Sequence, residues 1–144
     1  MKIKIVRHAL SLLVVIWAGI FFYQCTPLIA RFDPVAFQQV TSLRVESLML
    51  MDKAIESYAQ HEREINALML KVEQAYEYAF NKPKNTLTAN QWKVLKNQDR
   101  NLLGGFMKQW KEKDRLGAVY IEEAKRIIAN AFDTIIDLEK VKKR

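Results

Sequence analysis

The chain has 144 residues, half of them apolar, with a formal net charge of +7 and a single cysteine. That length suits one ordinary domain, and one cysteine excludes an internal disulfide framework. The charge divides into +4 over residues 1–32, −4 over 33–80, +6 over 81–117 and +1 over 118–144; it does not form one basic face, no recognised nucleic-acid-binding motif accompanies it, and nucleic acid is not an expected partner.

The first element is an apolar segment. Lys2, Lys4, Arg7 and His8 precede an apolar run from Ala9 to Tyr23 broken only by Ser11, the order found in a secretory signal peptide or a signal anchor. Continued through Leu28, Ile29 and Ala30, the segment reaches 22 residues. At about 1.5 Å per residue, this is enough to cross a hydrocarbon layer about 30 Å thick. A cut after Ala30 would put Leu28 where cleavage requires a small side chain, and nearby alternatives give no A-x-A-like pattern. Residues 1–31 are therefore expected to be an uncleaved signal anchor, a transmembrane helix that Pro27 kinks or ends. Cys25 is the candidate lipidation residue, although Phe22, Tyr23 and Gln24 precede it where lipoprotein signals carry a branched aliphatic and then small residues. Its plainer reading is a small apolar residue near a membrane surface. Basic residues cluster before the span and only Arg31 follows it closely, so the N-terminus is expected to be cytoplasmic. Residues 32–144 are then extracytoplasmic, and periplasmic in a bacterium.

In "RFDPVAF", Asp33 suits an N-cap and Pro34 the first helical position. Val35 to Asn81 contains neither glycine nor proline. Leu48, Met51, Ile55, Tyr58, Ile65, Met69, Val72, Tyr76 and Ala79 recur at spacings of three and four, interrupted once at Glu62. They form a coiled-coil-like seam of about four heptads, which Leu50, Ala54 and Leu68 widen beyond two positions per repeat. The pattern predicts one continuous helix over 34–80, about 70 Å long.

The turn formers of "NKPKNTLTANQW" end that helix, and Thr88 with Gln91 reads as a capping box opening a second helix over 89–116. Trp92, Leu95, Leu102, Phe106 and Met107 line one side of it, extended by Leu103 and Trp110. Gly104–Gly105 within the pattern suggests a bend or a close approach between helices. Gly117 then separates a third helix over 118–142, with its seam at Ile121, Ala124, Ile128, Ala131, Ile135 and Leu138. That seam runs back through Gly117, Asp114 and Trp110 in phase, so one bent rod is the alternative. The predicted fold class is all-α, an N-terminal transmembrane helix followed by an antiparallel bundle of two or three long helices.

Catalytic and metal-binding patterns are missing from the sequence. His61 in "QHEREI" imitates a zincin motif, but H-E-x-x-H requires histidine where this chain has Ile65. Glu73 and Glu77 lack the E-x-x-H partners of a di-metal bundle. No P-loop, dinucleotide fingerprint or nucleophile elbow occurs. The expected function is that of a non-enzymatic, cofactor-free helical subunit that binds or scaffolds other proteins of an envelope or membrane complex. The candidate interaction residues are Trp92, Phe106 and Trp110, large rings of the kind that anchor interfaces, with Lys108 and Lys111 among the basic residues around them. Tryptophans at helical spacing equally suit a core. The bilayer is the expected partner of residues 9–30, an anionic lipid surface is a rival partner for the lysines, and self-association is a further option. Two alternatives stand beside this reading. One is an exported lipoprotein or secreted helical protein after signal cleavage. The other is a phage-type inner-membrane spanin, which the single N-terminal span and basic tail resemble, although the aromatic content suits a packed bundle better than a rod.

Overall fold

The computed structural model describes residues 29–143. The segment expected to anchor the chain therefore lies outside the described residues except for Ile29, Ala30 and Arg31, which are not helical as expected: Ala30 is buried against the bundle, its N–H bonded to the Lys84 carbonyl; Cys25 lies outside the described residues as well. Among the described residues the regular structure is entirely helical, and no helix is long and apolar enough to cross a membrane. The elements are α1 (Pro34–Asp52), a 3-10 turn (Lys53–Ile55), α2 (Tyr58–Asn81), α3 (Thr86–Lys96), α4 (Leu103–Lys113) and α5 (Ala118–Val141).

These elements form an antiparallel bundle of four legs rather than the two or three expected. α1 packs on α2 and α5, α2 on α3, and α3 on α5, while α4 continues the leg begun by α3 and rests on α2. Hydrogen bonds fix the direction of each leg. At the proximal end, where residues 29–33 join the bundle, the Ala30 N–H donates to the Lys84 carbonyl at 3.1 Å, and Lys142 of the final turn bonds Thr88 at 2.9 Å. At the far end, the Tyr58 N–H donates to the Asp114 carbonyl and the Leu116 N–H to the Ala54 carbonyl, both at 2.8 Å.

The first leg begins as its sequence predicts. Asp33 Oδ1 accepts the Val35 and Ala36 N–H groups at 2.9 and 3.3 Å, with Pro34 at the head of the helix. The continuous helix expected over 34–80 does not form. After Asp52 the chain tightens into the 3-10 turn, and Glu56 and Ser57 are extended. Asp114 makes this break tolerable: it receives the Ser57 hydroxyl at 2.7 Å and the Tyr58 N–H at the start of α2. The helix is capped from a turn 57 residues away in sequence. Because the five residues 53–57 do not advance by the helical 100° per residue, the buried stripe changes phase across them. It runs through Val40, Leu43, Ser47, Leu50 and Met51 before the break, Ala54 within it, and His61, Ile65, Leu68, Val72, Ala75 and Ala79 after it. Ile55, expected in the seam, is 54 % exposed.

The third leg departs from its expected bounds for a steric reason. Asn85 is buried and its side-chain amide donates to the Ala79 carbonyl at 3.0 Å, so the chain turns tightly enough for α3 to start at Thr86. Thr88 is no N-cap, since it lies inside the helix with its hydroxyl turned into the bundle. The single helix expected over 89–116 is two, α3 and α4, joined by residues 97–102. A Cβ on Gly104 would sit 2.1 Å from the Lys96 carbonyl oxygen, and one on Gly105 would sit 1.8 Å from that of Arg100. The glycine pair thus lets the head of α4 lie directly on the backbone that leaves α3. The bent-rod alternative also fails: Asp114 takes φ 63°, and the chain reverses there into α5.

Candidate interaction surface

The five residues expected to form one interaction patch are divided between core and surface. Trp92, Phe106 and Trp110 are at most 3 % exposed. Trp92 meets Phe132 edge-on at 6.0 Å, and Phe106 stacks on Tyr120 at 6.0 Å while touching Trp110 edge-on at 6.5 Å. Trp110 closes the far end: its indole N–H donates to the Glu56 carbonyl at 3.0 Å, satisfying an acceptor that the break would otherwise leave open. Its ring lies against Tyr58 and His61 at 5.9 and 5.7 Å. The rings therefore serve the core, where burial of their area contributes most. Lys108 and Lys111 are exposed, Lys108 reaching Asp99 at 3.2 Å and Lys111 lying 5.8 Å over the Tyr58 ring.

Electrostatics leave the third leg with the two lysines' neighbours largely unmatched. Lys93, Arg100 and Lys113 are exposed and make no ion pair with a described residue, and Arg115 has only its neighbour Asp114 at 3.8 Å. Three of the acidic residues of α1 and α2 are engaged elsewhere, and Glu62 and Glu77 of α2 make no ion pair with a described residue. Glu46 pairs with Lys71 between those two helices, and Glu64 of α2 with Lys53 of the 3-10 turn. Asp52 pairs with Lys125 of α5, and Asp133 of α5 holds Arg44 through two bonds of 2.9 and 3.1 Å. Only Glu73 reaches the basic helices, through Lys96 at 2.7 Å. The surface of α3 and α4 consequently keeps an excess of positive charge.

Two buried titratable side chains, Glu139 and His61, escape the sequence pattern. At the proximal end Glu139 is 1 % exposed and pairs with Lys142, whose ammonium also bonds Asn85 and Thr88. Sequence phase could have revealed this: spacings of three and four from Ile121 through Ala124, Ile128, Phe132 and Ile135 lead to Glu139, whereas the seam through Ala131 ends on half-buried Leu138. At the far end, His61 Nε2 lies 2.6 Å from Glu56 Oε2. Its Nδ1 is buried without a hydrogen bond to a described residue.

Asp33 binds the proximal end together. The Tyr78 hydroxyl donates to Oδ2 at 2.6 Å and Lys82 Nζ at 3.0 Å. The hydrogen bond from Tyr78, followed by those from Lys82 and the Ala36 N–H, outweighs partial burial and lowers the carboxyl to about 2. The Tyr78 hydroxyl is raised in turn by the same bond. Burial raises the hydroxyls of Tyr58 and Tyr120, with Glu62 adding to the effect at Tyr58. Among the described residues, no group of three His, Cys, Asp or Glu side chains is placed to hold a metal ion. No family model matches the chain, and no curated protein or solved structure matches it.

Proposed function

We propose that this protein is a membrane-anchored, non-enzymatic subunit that holds an acidic partner protein of a membrane complex on the basic surface of α3 and α4. The observation that carries this reading is the excess of positive charge on that surface: Lys93, Arg100 and Lys113 have no ion pair with a described residue, while Glu46, Asp52 and Glu64 pair with other cations and Glu73 reaches α3 only through Lys96. An excess of one sign of charge on one leg of the bundle steers and orders association with the opposite sign. The apolar segment from Ala9 onward supplies the anchor, ending before Ala30, which is buried in the bundle, and the basic cluster before it favours the extracytoplasmic side for the bundle. With the aromatic rings in the core, the partner's contacts fall on the lysines and their aliphatic stems.

Crosslinking in native membranes followed by purification of the tagged full-length protein tests this reading. A partner should crosslink stoichiometrically to the native chain and be lost from the double variant Lys108→Glu, Lys111→Glu, whose exposed positions leave the helical circular dichroism unchanged. If partner recovery is equal in the two preparations, the basic face is not the binding surface. Trp110→Ala is uninformative here because it opens the core.

A further inference from the structure

Three stretches of chain meet at the proximal end: residues 29–33, the turn between α2 and α3, and the last turn of α5. Ala30 is tied to Lys84 through backbone, Asp33 to Lys82 through side chains, and the Lys143 ammonium lies 5.7 Å over the Phe32 ring. The interior of this end is sealed by the Glu139–Lys142 pair. Its rim is different. Phe80 and Leu87 are 63 % and 64 % exposed and Ile29 is 46 % exposed. Single exposed apolar side chains are ordinary. Here they belong to the same end of the bundle as residues 29–33, and that end also carries exposed cations. Arg31 and Lys143 make no ion pair with a described residue, and Lys140 shares only Asp137.

We infer that this end of the bundle docks on an anionic lipid surface, with Phe80 and Leu87 in the headgroup region and Arg31, Lys140 and Lys143 against lipid phosphates. The inference rests on the reading of the apolar segment that begins at Ala9 as a membrane anchor, and chain length then enforces it. Between Ala30, fixed to Lys84, and the start of α1 lie only Arg31, Phe32 and Asp33, a reach of about 10 Å even if fully extended. Because Ala30 already belongs to the bundle, an apolar run that reaches Leu28 leaves only Ile29 between itself and the proximal end, too little chain to hold that end away from the bilayer. Exposed rings and aliphatic side chains at that depth lie at the headgroup–acyl boundary, lysines extend their ammonium groups back to the phosphates, and anionic lipids attract them.

The full chain, with Cys25→Ser to remove the native thiol, would carry one environment-sensitive dye on either Leu87→Cys or Val119→Cys. Val119 is 80 % exposed at the far end and serves as the reference. Both are reconstituted in phosphatidylcholine vesicles with and without phosphatidylglycerol. The expected result is blue-shifted emission and protection from aqueous iodide at position 87 alone, greater when phosphatidylglycerol is present. Lys140→Gln and Lys143→Gln should each shift the docked-to-undocked ratio about fivefold toward undocked, as one charge near an anionic surface requires. If the protein floats with the vesicles but position 87 is as open to iodide as position 119, docking is overturned and the anchor stands. A chain that does not float with the vesicles removes the anchor reading, and docking with it. Protection that grows with protein density and ignores phosphatidylglycerol means that another protein copy covers this end, which also overturns the lipid assignment.

Discussion

Glu139 and Asp33 show how single residues in this bundle depend on partners distant in sequence. Glu139 is buried at a position where the repeat of α5 elsewhere carries Ile and Phe, and it is compensated by Lys142 with Thr88 and Asn85. Removing one member of a buried ion pair leaves the other charge desolvated and unmatched. Glu139→Ala is therefore expected to cost about 3–5 kcal/mol, whereas Glu139→Leu combined with Lys142→Met should be near neutral or stabilising; denaturant unfolding of the two variants separates these outcomes. Asp33 predicts a pH dependence. Its folded value is lowered from 3.8 to about 2, so its contribution to stability is complete above 3.8 and is lost as the pH falls toward 2. The native chain should melt higher than Asp33→Asn at neutral pH, and the difference should close on acidification through that window.

Between elements, the junctions decide more than the helices. The break at residues 53–57 turns Ile55 outward and places Ile65 in the core at 2 % exposure. Ile65→Asp should cost about 4 kcal/mol or more, because it buries a charge among apolar neighbours, while Ile55→Asp should change stability by about 0.5 kcal/mol or less. Comparable losses of helical circular dichroism midpoint for both variants would contradict the break. At the second junction, Gly104→Ala forces a methyl group toward the Lys96 carbonyl and should cost about 1–3 kcal/mol, as overpacking does. Its reading is the same unfolding midpoint, and hydrogen exchange should increase first in residues 97–105.

For the molecule as a whole, four legs replace a long rod and return the chain to the end at which it enters. A helix continuous over 34–80 would reach about 70 Å, whereas α2 with its 24 residues is about 36 Å long and sets the height of the bundle. The even number of legs also brings the basic C-terminal residues beside Phe32 and Arg31, which is what gives the proximal end its character. Charge follows this topology. An acidic first hairpin facing a basic second one would have neutralised both; instead α5 lies against α1, Lys125 and Arg44 engage across that contact, and the third leg keeps its lysines for the solvent or a partner. Each exposed pair contributes about 0–1 kcal/mol, so the apolar stripe supplies the stability while the pairs set register.

The amino-acid sequence alone determined what local chemistry controls: an all-helical chain beyond residue 33, the Asp33–Pro34 start and the stop at Asn81 to Asn85; it left open whether Gly117 bends one helix or separates two. It left undecided whatever depends on a contact across the bundle. Ser57 and Gln60 form the same S/T-x-x-Q pattern as Thr88 and Gln91, yet a helix opens after Ser57 and continues through Thr88. The difference lies in distant partners, Asp114 for one and Glu139 with Lys142 for the other. The candidate site divided for the same reason. Trp92, Phe106 and Trp110 were legible as large apolar side chains on a helical face, but a face is inward or outward only relative to the helices packed on it. The local pattern carries about one helical turn of information, whereas caps, phase across a break and burial are settled by residues tens of positions away, and those are brought together only by the tertiary structure.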